Sequence, residues 1–202
     1  AGRIGARGVI FHTGSHKGLG LEAVFEQICD TASSILAETP GDVLLVFENS
    51  AGHGDTIGGK FEELGEMLRR IDSPRAKVCI DTCHAFAAGY DVSNAAGVAA
   101  AMDQLDATIG AANIAAVHLN DSKTPLGAGR DLHENIGEGH IGRPGFEAML
   151  AHPAFADVPL LLEVPGFKLD GAGKGPDKPN IDLVKEIRAQ VAGAKKPARA
   201  KK

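Results

Sequence analysis

Six segments of this chain each join a short apolar run to side chains that bind divalent metals. They are FHTGSH with His12, FENSAG with Glu48, CIDTCHAFAAGYD with Asp81 and His84, VHLNDSK with His118, GRDLHENIGEGHIG with Asp131 and His133, and LLLEVP with Glu163. Imidazole and carboxylate ligands with no thiolate suit catalytic zinc, manganese or iron, whereas structural zinc prefers cysteine. Eight such side chains are enough for two or three ions, the equipment of multinuclear metal catalysis. Glu48 and Glu163 can bridge or cap ions with hard oxygen, while His12 and His118 supply imidazole. Asp81 and His84, three apart in the turn after a strand, can face different ions. Asp131 and His133, two apart in an extended loop, point the same way and can chelate one ion. Taken singly, each has a plainer reading: a hydrogen-bonded strand-end histidine, a Glu48–lysine pair, an Asp131 turn cap. Eight at successive strand ends favour metal.

The elements that must position these residues alternate. Strands are expected near Val9–His12, Val43–Asn49, Lys77–Thr82, Ile114–Asn120 and Leu160–Val164, all short and almost continuously apolar, as parallel strands covered on both faces are. Helices are expected near Leu21–Glu38, Phe61–Ile71, Asn94–Ile109, Gly145–Leu150 and Asn180–Val191. In the first, Leu21, Val24, Phe25, Ile28, Ala32, Ile35 and Leu36 form one stripe. Pro40–Gly41 and Ser73–Pro74 mark returns to the sheet, and residues 168–179 read as a surface loop. Successive βα units with chemistry at each strand's C-terminal end describe part of a (β/α)8 barrel, whose loops on that face build the site. A doubly wound sheet is the alternative, but GSHKGLG after the first strand matches neither GxGxxG nor a P-loop.

At 202 residues, with 44% hydrophobic and 23% charged residues, the chain reads as one soluble domain. The expected division is a partial barrel domain over 1–193 and a basic, disordered tail over 194–202. Five of the 21 basic residues lie in the terminal KKPARAKK, so the rest carries 16 basic against 26 acidic residues. Such an acidic body binds phosphate only if something else supplies positive charge, as bound metal would. The tail itself reads as solubilising, with non-specific contact to DNA backbone as the sharper alternative. No Trp and one Tyr argue against a broad aromatic platform for stacking bases. No apolar run approaches the roughly 18 residues that span a bilayer, and AGRIGARGVIF has no signal-peptide core, so a cytoplasmic protein without membrane contact is expected. The absent initiator Met suggests a start inside a longer gene product. Cys29, Cys79 and Cys83, odd in number and scattered, fit a reducing compartment. Cys83 reads as buried packing before ligation. His53 and His152 read as surface residues, whereas His16 and His140 can support the ligands.

Together FHTGSH, ENSAG, DTCHAFAAGYD, HLNDSK and DLHENIGEGHIG resemble the endonuclease IV family of apurinic/apyrimidinic endonucleases, from about Val9 to Glu163. The resemblance implies a TIM-barrel DNA-repair nuclease with three zinc ions, manganese being able to substitute. It implies that His12 binds the first zinc and that Glu48 bridges the first and second. Asp81, His118 and Glu163 complete the second, and His84, Asp131 and His133 hold the third. The substrate implied is double-stranded DNA containing an abasic site, cut on the 5′ side to leave a 3′-hydroxyl. The resemblance implies Glu48 and Glu163 as the catalytic carboxylates, with Glu163 helping to orient the attacking water. A monomer is implied for the full-length enzyme. Asn120 and Lys123 can contact DNA phosphate or serve the turn.

The chain also departs from the pattern. The family's barrel begins with roughly three βα units that are not seen here, and these bring a further histidine to the first zinc. About five of eight βα units and eight of nine ligands are therefore expected, with both sheet edges unpaired. On this reading the chain is the C-terminal portion of a longer enzyme, unstable or inactive alone; a sharp thermal transition in dilute monomer would count against it. Leu132 stands where the family often has arginine, with Arg130 close by. Two other classes remain open: a divalent-metal sugar isomerase or epimerase on a related barrel, and an inactive DNA- or protein-binding remnant. The Asp131/His133 pair and GEGHIG favour the nuclease.

Overall fold

Residues 1–167, 175 and 178–194 are described by a computed structural model. The elements run β1 (Gly8–His12), α1 (Leu21–Glu38), β2 (Leu44–Glu48), α2 (Phe61–Ile71), β3 (Ala76–Asp81), α3 (Thr82–Ala88) and α4 (Ala95–Thr108). They continue with β4 (Ile114–His118), β5 (Asp121–Ser122), β6 (His133–Glu134), α5 (Gly142–Ala151), β7 (Leu160–Leu161) and α6 (Lys178–Ala194). The tail expected over 194–202 lies outside the described residues, apart from Ala194. Most of the loop expected over 168–179 does too, and Lys178 and Pro179 open α6 instead.

Five strands form one parallel sheet in the order β1-β2-β3-β4-β7, which is chain order. A doubly wound sheet would reverse its strand order at a switch point. This sheet does not, so the barrel expectation holds and the open-sheet alternative falls. Both edge strands, β1 and β7, have a single ladder partner among the described residues.

Strand alternation sorts side chains between two faces. Phe11, Leu45, Phe47, Val78, Ile80 and Val117 join the main core under the helices, with Phe11 and Phe47 rings 4.9 Å apart. The opposite face carries Ile10, Val46, Cys79 and Ala116, a small apolar cluster beside a cleft of about 500 Å³. His12 and Glu48 continue that face, two residues beyond Ile10 and Val46. Helix α2 turns Phe61, Leu64, Met67 and Ile71 inward, and Phe61 stacks on Tyr90 at 3.9 Å. Gly65 brings α2 against the end of α4, because a Cβ there would collide with the Thr108 carbonyl.

Two features were not expected. The turn after β3 is a helix, α3, capped by Asp81, whose carboxylate accepts the His84 N–H at 2.8 Å, and closed by Gly89 at φ 109°. The extended loop carrying Asp131 and His133 folds back as a hairpin, β5 pairing antiparallel with β6. Its tip is pinned to α3 by Gly127 N–H on Phe86 O and Gly129 N–H on Ala87 O. Strand β7 is also shorter than expected, so Glu163 stands two residues beyond it.

Candidate metal centre

All eight expected side chains meet at the C-terminal end of the sheet. Groups of donor atoms lying within 4.8 Å of one another are His12/Glu48/His84, Glu48/Asp81/His118/Glu163 and His84/Asp131/His133. A further group, Asp81/Cys83/His133, brings in a thiol. Burial pushes the Cys83 thiol up to about 12, and its Sγ faces Leu132 O at 3.6 Å. It is packed in the interior, fully buried, as the reading of buried packing before ligation expects.

Glu48 reaches in two directions. Its Oε1 lies 2.8 Å from His118 Nδ1, while its Oε2 lies 3.7 Å from His12 Nε2. Glu163 Oε2 lies 3.3 Å from His118 Nδ1, and Asp81 Oδ2 lies 4.0 Å from the same nitrogen. Glu48, Asp81, His84 and His118 are buried, whereas the His12, Asp131 and Glu163 side chains are about half exposed. The centre therefore has a closed floor and one open side.

Buried asparagines hold this floor, and reading the sequence missed them in that role. Asn49 clips the start of α3, its Oδ1 accepting Asp81 N–H at 2.7 Å and its Nδ2 donating to Asp81 O at 3.1 Å. Asn135 Nδ2 donates to Gly166 O, and Asn180 Nδ2 donates to Asn135 Oδ1, tying α6 to the hairpin. Asn120 is fully buried between Asp81 and Glu163, so the expectation that it contacts DNA phosphate is corrected. The sequence signal was position: Asn49 directly follows the candidate ligand Glu48, and Asn120 follows the candidate ligand His118 by two residues. Lys123 is exposed, 3.8 Å from Glu134. His16 supports its own loop by accepting Gly20 N–H, and His140 is exposed, so neither supports a candidate ligand as expected. His53 is exposed as expected, but His152 is half-buried and caps the turn at Pro153–Phe155.

The electrostatics follow from four carboxylates, Glu48, Asp81, Asp131 and Glu163. Among the described residues their ionic partners are all histidines, with no lysine or arginine. Burial raises Asp81 above the usual carboxylate range. Burial works the same way on Glu48, but His118, His12 and His84 outweigh it and lower its pKa. Burial opposes charge on His84, yet Asp131, Asp81 and Glu48 prevail and push it up to about 9. His133 and His84 hold Asp131 well below the usual range.

One arrangement decides what this cluster fits. His84 Nδ1 lies 2.9 Å from Asn49 O and His133 Nδ1 lies 3.2 Å from Glu163 O. A carbonyl oxygen can only accept, so each Nδ1 carries the proton and each neutral ring keeps a lone pair on Nε2. Both Nε2 atoms are buried without a hydrogen-bond partner, and both lie 3.1 Å from the same oxygen, Asp131 Oδ1. Three lone-pair atoms face one another there. That is stable with protonated rings or with a cation among them, and the mixed His/carboxylate donors fit a divalent metal.

Residues 1–189 match the family model described as xylose isomerase-like TIM barrel. The chain belongs to the xylose isomerase-like TIM-barrel family. Within it the chain is similar to proteins named probable endonuclease 4. That of Halobacterium salinarum is 46% identical over 180 residues, covering 88% of this chain and 62% of the relative. That of Halothermothrix orenii is 39% identical over 180 residues, covering 89% and 62%. The crystal structure of endonuclease IV from Thermus thermophilus aligns with TM-score 0.75 at 31% identity, covering 96% of this chain and 64% of that one. The chain thus spans less than two thirds of the length of these TIM-barrel relatives. No helix among its described residues is long and apolar enough to cross a membrane.

Proposed function

We propose that this chain carries the metal centre of an endonuclease IV-type DNA-repair enzyme, which hydrolyses the phosphodiester bond 5′ to an abasic site in duplex DNA and leaves a 3′-hydroxyl. The observation that carries the reading is the convergence of eight side chains into three overlapping donor groups, including two buried imidazole lone pairs aimed at one carboxylate oxygen. The similarity to proteins named endonuclease 4 supports it.

In this reading His12 and Glu48 serve the first of three zinc sites. Glu48, Asp81, His118 and Glu163 form the second, and His84, Asp131 and His133 form the third. Glu48 is placed to bridge, since its two oxygens face different histidines. The bound ions would lower the pKa of water and neutralise phosphate charge. The protein's own contribution is position. Asn49 O and Glu163 O fix the tautomers of His84 and His133. The buried floor excludes water below, while the exposed His12, Asp131 and Glu163 face the approaching strand, where Glu163 can hold the proton of an attacking water. A sugar isomerase would use one or two ions and a closed pocket; the Asp131/His133 pair on an open face favours the nuclease.

The test is incision of an end-labelled duplex bearing one abasic site, with Zn2+ added. The samples are this chain and a chimera completed with the part of the Thermus thermophilus enzyme that has no counterpart here. Zn2+-dependent cutting 5′ to the site by the chimera, with a 3′-hydroxyl product, is the expected result. No cutting by either protein, with both folded and loaded, would overturn the reading.

A further inference from the structure

Two residues beyond β4 stands Asn120, which is 0% exposed. Its Nδ2 donates to Asp81 Oδ2 at 2.6 Å, and its Oδ1 accepts the Glu163 N–H at 2.8 Å. Its main chain closes on Thr82: the Asn120 N–H donates to Thr82 Oγ1 at 2.9 Å, and that hydroxyl donates to Asn120 O at 2.6 Å. All four polar atoms of the residue are thereby satisfied. The side chain must donate on one side and accept on the other, which an amide does; a carboxylate offers no donor and an aliphatic group offers neither.

We propose that Asn120 is a positioning residue that sets the separation and orientation of Asp81 and Glu163. It thereby controls metal affinity at the Glu48/Asp81/His118/Glu163 group more than at the His84/Asp131/His133 group. This rests on the metal-site reading above and deepens it. The β4–β7 ladder ends at His118 and Leu161, followed by a last bond from Leu119 N–H to Leu161 O. Beyond it the Asn120 side chain takes the place of a ladder partner and receives the Glu163 N–H. Asp81 has one oxygen held by the His84 N–H and the other by Asn120, so its carboxylate cannot rotate. Two of that group's four donors thus depend on one amide. The other group depends on it less, through the Glu163 carbonyl that receives His133 Nδ1.

The experiment is calorimetric titration of the 202-residue chain with Zn2+, using Glu163→Gln and Asp131→Asn to identify the event that belongs to each group. Asn120→Asp keeps the size and the acceptor facing Glu163 but loses the donor to Asp81. It is expected to weaken the event lost in Glu163→Gln by about 10–100-fold, the usual effect of removing a ligand's hydrogen-bond partner. The event lost in Asp131→Asn should change much less. Equal weakening of both events, or of neither, overturns the proposal. A parent chain that melts cooperatively yet takes up no Zn2+ overturns the metal reading itself, and the Asn120 assignment with it. Should Asn120→Asp not melt cooperatively, the unsubstituted chain decides by NMR. There the Asn120 side-chain amide signals must shift in the same titration step as the His118 ring. A shift with the His133 ring alone, or none, overturns the assignment.

Discussion

Glu48 and His118 stand at the ends of strands that are not neighbours, yet Oε1 and Nδ1 lie 2.8 Å apart across the end of β3. Adjacent strands are about 4.8 Å apart, so β2 and β4 are separated by roughly twice that in a flat sheet. The two side chains share one face of the sheet and reach toward each other over the end of β3. Glu48 also lies near His12 on β1, so one carboxylate links three strands. Glu48→Gln keeps the shape and removes the charge that faces both imidazoles. Zn2+ stoichiometry should fall, and incision should drop by more than the roughly 10–100-fold typical of losing an outlying hydrogen-bond partner. Unchanged stoichiometry by metal analysis would refute the bridging role.

The His84 environment makes the ion-free chain sensitive to alkaline pH. Its folded-state pKa is about 9, above the ordinary histidine value of 6.5. A raised histidine pKa contributes stability that is complete below the unfolded value and is lost as pH rises through the folded one. The contribution is on the order of 1–3 kcal/mol. In EDTA the melting temperature should therefore fall by several degrees between pH 6.5 and 9. Zn2+ competes with the same proton, so its affinity should rise across that window. A flat melting temperature in EDTA would show that no such imidazolium–carboxylate cluster forms.

The sequence revealed the candidate ligands more clearly than the frame that holds them. Helices α1 and α2 fall at the expected Leu21–Glu38 and Phe61–Ile71, because an amphipathic stripe runs between turn signals. Helix α3 has no such stripe: Thr82 through Ala87 are all buried, so periodicity carries no information, and its marks are the Asp81 cap and Gly89. Strands β5 and β6 have two residues each, too short for alternation to register. The eight candidate ligands could be read because strand ends in a barrel face one place. For Asn120 position alone was a hint, two residues after His118, but its role could not be read, since its burial depends on β3 and β7 closing around it.

Gly65 sets two effects against each other. Replacing a helix-interior glycine with alanine ordinarily stabilises by about 1 kcal/mol. Here the added methyl would meet a backbone carbonyl, Thr108 O, which also accepts from Arg69 Nη1 at 3.1 Å. Overpacking costs about 1–3 kcal/mol, and relief requires α2 or α4 to move as a body. The clash should win, and Gly65→Ala should lower the melting temperature by about 2–4 °C per kcal/mol. A higher melting temperature would mean that the helices separate easily.

Strand β1 offers one unpaired edge among the described residues, and Val9 on it is 47% exposed. The sheet face lining the adjoining cleft is apolar around Ile10, Leu44 and Val46. An exposed edge next to apolar surface is a template for strand addition, and lysine on such an edge opposes it. Sedimentation velocity over increasing concentration should show this 202-residue chain self-associating. Val9→Lys should associate less, while its stability stays within about 0.5 kcal/mol, as for most surface substitutions. Zn2+ uptake should not change, because Val9 belongs to none of the three donor groups. Equal association by both proteins would locate the contact elsewhere, with the exposed Leu161 on β7, the opposite edge, as the next position to substitute.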